Sequence, residues 1–267
     1  MKNLIYQYWD GNVMPGVRAG VDAMKKYANR IGTDYLFEEN PKFVTNLGRY
    51  SPHYGAFKPI YTDKFHSYDN VLFADTDVFP VEGLSESIFD GFASDVGICT
   101  EPFQPVQRNK IPGPICTSSD EKWAKMMKAR WNIDVPRTPE GLMKVYNSGV
   151  VLYSNKGMKK ARDKFVPFLE YVNYIKTDRS LAEFYTCDQP YLHAMLQVVP
   201  MDYVELDNGW NSYVHYYYED PEKKILKTND SRTPSTKMVH IQLRTADHWE
   251  ADKLWRVTNL PIEQWEI

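Results

Sequence analysis

The chain has 267 residues, of which 43% are hydrophobic and 25% charged, with a formal net charge of −3 at pH 7. This composition is that of a globular protein and excludes a disordered tail. The small net charge and scattered basic residues give no electrostatic footprint for nucleic acid. Cys99, Cys116 and Cys187 are too few and too far apart for a disulfide framework or a zinc ribbon, so we expect a reducing, cytoplasmic location. No apolar run is long enough to predict a transmembrane segment.

Strand-like and helix-like segments alternate along the chain. In chain order we predict strand 3–8, helix 15–31, strand 34–37, helix 51–68, strand 71–74, short helix 85–89, strand 96–100, an irregular stretch 101–119, helix 120–131, strand 144–153, helices 156–175 and 188–198, and short strands 204–206 and 238–243. The alternation predicts an α/β fold with a mixed, mostly parallel sheet, whose ligands bind beyond the carboxyl ends of the strands. The absence of repeats and Gly/Ser-rich linkers predicts one domain, residues 1–267.

Two carboxylates directly follow the apolar strand 71–74. Side chains on an extended chain alternate faces, so Asp75 and Asp77 are expected to point the same way. Their mutual repulsion requires a cation or a shared proton beside them. This pair predicts a polar site at the end of the strand.

Three more segments place polar residues where apolar ones are expected. The sequence NSG at 147–149 interrupts an apolar strand, which indicates either close approach of a ligand or a simple bulge. Asp188 begins a predicted helix, where an N-cap is the commoner role of an aspartate. His240 lies inside an apolar strand, either as a ligand or as a core residue whose hydrogen bonds are satisfied.

These motifs, in this order, resemble the nucleotide-sugar glycosyltransferases with the A-type fold. DTD at 75–77 resembles their DxD motif, and YSPHYGAFKPIYTDKFHSYDNVLFADTDVFP is similar to their helix-strand-DxD unit. NSG at 147–149 and DQ at 188–189 resemble segments of the retaining glycogenin and lipopolysaccharide galactosyltransferase group. The resemblance covers roughly residues 1 to 250 and implies a single-domain, Rossmann-like fold. Its parts would be a nucleotide-binding half (1–100), an acceptor and sugar half (101–250) and a C-terminal tail (251–267).

The resemblance implies a metal-dependent hexosyltransferase. It would move a sugar from a nucleoside-diphosphate sugar, a UDP-sugar as first expectation, to a glycan or other hydroxyl acceptor with retention of configuration. Mn²⁺ or Mg²⁺ would bind Asp75, Asp77 and His240, and the imidazole favours Mn²⁺. In that group a glycine and a lysine follow the late histidine, whereas this chain has Gln242, Leu243 and Arg244, so Arg244 is expected to replace the lysine.

The resemblance also assigns roles to residues around the metal. The nucleotide-binding residues would be Gln7, Tyr8, Trp9, Asp10, Lys58, Asp75, Thr76 and Arg244. The catalytic residues would be Asn147, Asp188 and Gln189, with Asp188 as an electrostatic and orienting group. The sugar and acceptor residues would be Ser148, Gly149, Trp210 and Asn211. Trp210 serves equally well as core, and Glu101 or Asp207 stays open as the base that an inverting enzyme needs.

Two other classes of protein fit parts of the sequence. A phosphatase of the haloacid dehalogenase type would use Asp75 as nucleophile and Asp77 as acid. That motif normally lies on the first strand, whereas two predicted strands precede it here. A non-catalytic carbohydrate-binding protein would use the aromatic residues, which make up 14% of the chain.

Overall fold

Two β-sheets organise the chain in the computed structural model, which describes residues 1–110, 113–220 and 225–265. The strands within these residues are β1 Asn3–Trp9, β2 Asp34–Glu39, β3 Asn70–Ala74, β4 Val78–Pro80, β5 Val96–Thr100, β6 Tyr146–Ser154, β7 Tyr203–Glu205, β8 Ser212–Asp220, β9 Ile225–Asp230 and β10 Met238–Gln242. The central sheet has the order β2-β1-β3-β6-β5-β7, and three of its five strand pairs are parallel. The second sheet has the order β4-β10-β8-β9. The expected α/β class with a mixed, mostly parallel central sheet is confirmed.

Helices cover both faces of the central sheet. The α-helices in the described residues are α1 Pro15–Arg30, α2 Lys58–Tyr61, α3 Gln104–Lys110, α4 Thr117–Trp131, α5 Asn155–Lys164, α6 Phe168–Ile175, α7 Asp188–Val198 and α8 Ala251–Asn259. Side chains of β3 alternate between two core clusters, with Val71 and Phe73 in one and Leu72 and Ala74 in the other. The first cluster packs against α4 to α7 and the second against α1. With both faces covered, the carboxyl ends of the strands are left for ligands.

The helix predicted for 51–68 is instead a series of short helical segments. A 3-10 helix at Ser51–Phe57 leads into α2, and a second 3-10 helix follows at Asp63–Ser67. Thr62 has an extended backbone and interrupts the run. Pro59 has no N–H to donate, which weakens a continuous α-helix through this region. The apolar side chains predicted to point inward still pack in the core.

Two other helix predictions are wrong. Residues 85–89 form no helix, because the Tyr27 hydroxyl holds this segment by donating to the Glu86 carbonyl (3.0 Å) and accepting from the Ile88 N–H (3.2 Å). The single helix predicted for 156–175 is divided into α5 and α6. Pro167 lies at the break, where it is the N-cap of α6.

The stretch predicted to be irregular, 101–119, contains α3 and the beginning of α4. Pro105 lies in the first turn of α3, where a missing N–H costs no hydrogen bond, so proline content was a poor guide here. Residues 111 and 112 of this stretch lie outside the described residues.

Besides α3, four strands and helices of the described residues have no counterpart among the predictions: β4, β8, β9 and α8. The segment 251–267, expected to be a tail, contains α8, whose Leu254 and Val257 are buried in the core. The last two residues of that segment lie outside the described part of the chain. The short β4 and the polar, tyrosine-rich β8 lack the apolar alternation that identifies a strand.

The three cysteines are unpaired. Among the described residues, no helix combines the length and the apolar character needed to cross a membrane.

Candidate functional site

The carboxylate pair lies in the turn between β3 and β4, not on an extended strand as expected. The N–H of Asp75 donates to the Gly149 carbonyl (2.8 Å), which ties this turn to the beginning of β6. The buried amide of Gln7 donates to the Asp75 carbonyl (2.9 Å) and accepts from the Tyr35 hydroxyl (2.7 Å). These bonds hold the turn at the carboxyl end of the central sheet.

His240 completes a group of three potential metal ligands. The antiparallel pairing of β10 with β4 places it opposite Val78, beside the turn. Its Nε2 lies 3.1 Å from Asp77 Oδ1 and 3.9 Å from Asp75 Oδ2. One ligand atom from each residue lies within 4.8 Å of the others. The imidazole is buried, whereas 42% of the Asp75 side chain and 48% of the Asp77 side chain are exposed, so the three groups face outward toward a common point.

Asn211 fixes the orientation of the His240 ring. Its amide nitrogen donates to Asn147 Oδ1 (3.0 Å) and to the Tyr213 hydroxyl (2.9 Å), which leaves its oxygen facing His240 Nδ1 at 3.1 Å. Nδ1–H therefore donates to Asn211, and Nε2 faces the carboxylates, where it can bind a cation once its own proton is released. The Tyr213 ring stacks on the imidazole with a centroid separation of 5.4 Å.

Gly149 is required by the close approach of these side chains. A Cβ at this position would lie 2.5 Å from His240 Cε1 and 2.9 Å from Asp75 Oδ2. The pairing of β5 with β6 also shifts its register between Ile98 and Cys99, opposite the NSG segment. The strand is therefore irregular there, as the bulge interpretation predicts, and the glycine makes room for the histidine. Close approach of a ligand at NSG stays a prediction.

The charges of the group favour a cation. Burial alone would lower the pKa of His240, but the carboxylates of Asp77 and Asp75 raise that pKa to about 9. Burial, together with repulsion from Asp77, raises the pKa of the Asp75 carboxyl. Within the described residues, no Lys or Arg forms an ion pair with either carboxylate. Two carboxylates and one imidazole fit Mn²⁺ or Mg²⁺, and the nitrogen ligand favours Mn²⁺.

The carboxylates open onto a cavity of about 620 Å³. Its walls come from the end of β1, the first turn of α1, the 75–77 turn, and the segment after β10, through Tyr8, Trp9, Asp10, Gly16, Val17, Asp75, Thr76, Asp77, Ile241, Gln242, Leu243, Arg244, Ala246 and Asp247. The cavity thus combines residues of both predicted halves, and Leu254 of the predicted tail also lines it.

The first turn of α1 and the segment after β10 pack closely at this cavity. A Cβ on Gly16 would lie 2.3 Å from the Ala246 carbonyl oxygen, so only glycine permits the contact. Thr245 has a φ of +64°, an unusual conformation for a β-branched residue, between the cavity-lining Arg244 and Ala246. The exposed Arg244 guanidinium and the N–H groups of α1 bring positive charge to one cavity.

A buried polar cluster lies beside the metal ligands. Asn147 Nδ2 donates to Glu101 Oε1 (2.7 Å) and to Gln189 Oε1 (3.3 Å), and its oxygen accepts from the Gly149 N–H (2.7 Å). Burial raises the pKa of Asp188, which also accepts a hydrogen bond from Ser148. The N-cap interpretation of Asp188 is wrong, because Cys187 is the N-cap of α7 and Asp188 is its first residue, although the Asp188 carboxylate interacts with nearby N–H groups.

Three predicted site residues belong neither to the lining of the cavity nor to the metal ligands and the polar cluster beside it. Gln7 is fully buried and binds the chain itself. Lys58 Nζ lies 2.6 Å from Glu38 Oε2, and the same oxygen accepts a hydrogen bond from the Tyr6 hydroxyl. Trp210 is 6% exposed and packs in the core, so its core interpretation is the correct one. Gln7 and Lys58 are turned inward because polar partners inside the protein satisfy them, and Trp210 because its ring packs in the core.

Several residues at the site had no assigned role. Tyr213 and Gln242 surround His240, with Gln242 Nε2 3.3 Å from His240 Nε2. His53 lines the cavity next to Asp188. Gln242 was visible in the sequence as a polar residue two positions after His240, on the same face of a strand. Tyr213 and His53 carried no such signal, because their approach depends on how distant segments pack.

The solved structures that resemble the chain include several glycosyltransferases. The galactosyltransferase LgtC, in complex with donor and acceptor sugar analogues, shares 15% identity with a TM-score of 0.49 over 97% of this chain and 98% of its own. The apo form of mouse xyloside xylosyltransferase 1 shares 14% identity with a TM-score of 0.49, over 90% and 97%. A glycosyltransferase involved in the glycosylation of the major capsid of PBCV-1 shares 13%, with a TM-score of 0.48, over 90% and 92%. No protein-family model and no curated protein matches the chain. Similarity this low transfers no activity, so function must be inferred from the side chains of the site.

Proposed function

We propose that the chain is a metal-dependent glycosyltransferase that transfers a hexose from a nucleoside-diphosphate sugar, with a UDP-sugar as first candidate, to a hydroxyl group of a glycan. The observation that carries this proposal is the group of Asp75, Asp77 and His240 at a cavity of about 620 Å³. A cavity of this size suits a ligand as large as a nucleotide sugar.

The polar end of the cavity suits a diphosphate. Asp75, Asp77 and His240 would hold Mn²⁺ or Mg²⁺, and the bound cation would supply positive charge against the charge that develops on the leaving diphosphate. Arg244 and the first turn of α1 line the same cavity and favour phosphate oxygens. Tyr8, Trp9 and Asp10 lie at the end of β1, where an aromatic face and a polar edge suit a nucleoside.

The buried polar cluster suits the sugar. In this proposal Asn147 and Gln189 orient the sugar hydroxyl groups, and Asp188 stabilises the positive charge that develops at the anomeric carbon. Ser148 and Gly149 form the wall between this cluster and the metal ligands. Asp188 then acts as an electrostatic group and not as a base, and the product keeps the configuration of the donor.

A direct experiment screens nucleotide sugars by thermal shift with Mn²⁺ present, because a ligand that binds only the native state raises its apparent stability. Donors that raise the melting temperature are then tested for release of nucleoside diphosphate with and without EDTA. Metal-dependent release of UDP supports the proposal. Release of inorganic phosphate would indicate the phosphatase, and binding of sugars without any release would indicate a carbohydrate-binding protein.

Stereochemistry is measured on the same reaction without a known acceptor. When water replaces the acceptor, proton NMR of the freshly released sugar gives its anomeric coupling constant before mutarotation. An α-sugar from an α-linked donor such as UDP-glucose or UDP-galactose agrees with retention. A β-sugar would remove Asp188 and Gln189 from their proposed roles.

The proposed enzyme works in a reducing, cytoplasmic compartment. Three unpaired cysteines, two of them buried, support this part of the proposal.

A further inference from the structure

His53 occupies the edge of the cavity in a fixed position. It lies in the 3-10 helix Ser51–Phe57, whose backbone is held by the Tyr8 hydroxyl through the carbonyl oxygens of Pro52 (2.6 Å) and His53 (3.1 Å). Gly55 of the same helix packs on the Tyr8 ring so closely that a Cβ would lie 2.4 Å from it. The imidazole of His53 nevertheless keeps 56% of its surface exposed and lines the cavity.

The only carboxylate close to His53 among the described residues is Asp188. Nδ1 of His53 lies 3.9 Å from Asp188 Oδ1, and the Asp188 side chain is only 9% exposed. Burial raises the pKa of Asp188, and the neighbouring His53 opposes this rise more than any other group does. An exposed imidazole with a buried carboxylate behind it is an arrangement that orients the ring and leaves its other nitrogen free for a ligand. A separation of 3.9 Å needs only a small movement to become a hydrogen bond.

The position of this pair relative to the metal ligands indicates which ligand it meets. The diphosphate of the proposed donor is held at Asp75, Asp77 and His240, so the sugar extends toward Asp188. His53 lies on the solvent side of Asp188, where an incoming hydroxyl group would reach the anomeric carbon. His53 lines the cavity and offers, at that point, an imidazole nitrogen that can accept a hydrogen bond.

We propose that His53 orients the attacking hydroxyl group, of water or of the sugar acceptor, by accepting its hydrogen bond at Nε2 while Nδ1–H faces Asp188. The inference rests on the proposed function and adds to it a residue that binds the second substrate, which is the water or sugar acceptor. His53 makes no contact with the metal ligands in the structure, so its role is separable from metal and donor binding.

The test uses UDP-glucose and UDP-galactose with MnCl₂ and follows the release of UDP to water, so that no acceptor has to be identified. His53→Ala is expected to lower kcat about tenfold or more, because hydroxyl orientation is lost. The Kd values of Mn²⁺ and of UDP in the presence of Mn²⁺ are expected to stay within about twofold of wild type. His53→Gln, which keeps a hydrogen-bond acceptor, is expected to retain more of the rate than His53→Ala.

His248 provides a matched control. It is also 56% exposed and lies 3.7 Å from a carboxylate, that of Asp247, but it does not line the cavity. His248→Ala is therefore expected to release UDP at the wild-type rate, and the melting temperatures of all variants verify folding.

Two results would overturn the inference while leaving the proposed function standing. The first is a His53→Ala protein that binds Mn²⁺ and UDP and releases UDP as fast as wild type. The second is a wild-type protein that binds Mn²⁺ and UDP but turns over neither donor, because a hydroxyl-orienting group at this site should act on water as well. A wild-type protein that binds no nucleotide at all would instead contradict the proposed function itself.

Discussion

Carboxylates at the two ends of the central sheet have opposite electrostatic surroundings. At the amino end of β5, the Asp95 side chain is fully buried and is held by Lys160 (3.0 Å), Lys156 (3.3 Å) and the Asp202 N–H (3.1 Å). Burial alone would raise its pKa, but Lys160 and the other donors lower it. At the carboxyl end, His240 is the only His, Lys or Arg among the described residues that lies within ion-pair distance of Asp75 and Asp77.

The difference separates structural from functional charge. Asp95 is neutralised by the chain itself, so it requires nothing from outside. The group at the carboxyl end has no Lys or Arg partner among the described residues, and the raised pKa values of Asp75 and His240 mean that it holds protons that a cation can displace. This group lies at a cavity. A site that folding leaves electrostatically incomplete is one that a cation completes.

The largest expected effect is on the carboxyl end. If the proposed function is correct, Asp77→Asn should lower metal-dependent UDP release by about 100-fold or more, because it removes a charge that would hold the cation needed by the leaving diphosphate. Excess EDTA should do the same to the wild-type protein. Initial rates of UDP release from UDP-glucose or UDP-galactose measure both effects. Full activity in EDTA would contradict the claim that the carboxyl end, unlike the amino end, needs a cation.

The orientation of His240 gives the next largest effect. Asn211→Ala removes the acceptor for Nδ1–H and should weaken Mn²⁺ binding by about 10- to 100-fold, as loss of such supporting contacts does in other metal sites. Calorimetric titration with MnCl₂ measures this. Asn208→Ala is the matched control, since Asn208 accepts from the Thr100 hydroxyl and does not contact His240. Equal Mn²⁺ affinities of the two variants would show that Asn211 does not position the ring.

The affinity for Mn²⁺ is expected to rise with pH, and the stability of the metal-free chain to fall. The pKa of His240 is raised to about 9 and that of Asp75 is also raised, so both groups take up protons more readily in the metal-free folded chain than in the unfolded chain. Their contribution to metal-free stability is therefore present at low pH and lost as the pH rises toward 9. Metal binding displaces these protons, so Mn²⁺ affinity should rise with pH, by up to about tenfold per pH unit for each proton released. Titrations between pH 6 and 8 in buffers of different ionisation enthalpy count the protons, and an affinity independent of pH would contradict this assignment.

The smallest expected effect lies at the opposite end of the sheet. Asp95→Asn keeps the shape of the side chain but leaves Lys160 without its charged partner, and should lower the free energy of unfolding by about 1–3 kcal/mol. Urea denaturation measures this change. Because Asp95 lies far from the cavity, the rate of UDP release by the folded variant should equal that of wild type. A loss of activity without a loss of stability would mean that the two ends are coupled.

The sequence was most informative where a polar motif interrupts a strongly apolar strand. The strand before Asp75, the irregularity at 147–149 and the beginning of α7 at Asp188 all follow from local patterns that hold in the structure. The role of His240 as a candidate ligand was also visible, because a lone histidine in an apolar strand requires a partner.

Contacts between distant segments could not be predicted in the same way. Asn211 reaches His240 only because β8 and β10 pair in parallel, and the polar sequence of β8 does not identify it as a strand. The inward turn of Lys58, in α2, depends on Glu38, a residue of the distant strand β2. Local patterns specify the elements and their polar ends, while the register between strands decides which polar groups meet.

The most direct test of the account is a calorimetric titration of the metal-free protein with MnCl₂, comparing wild type with His240→Ala and with the bulkier His240→Gln. The account predicts one Mn²⁺ per wild-type chain, tighter binding when UDP is present, and an affinity about tenfold or more weaker in both folded variants. A folded variant with unchanged Mn²⁺ affinity, and a lower melting temperature as its only defect, would contradict the account and identify His240 as a core residue.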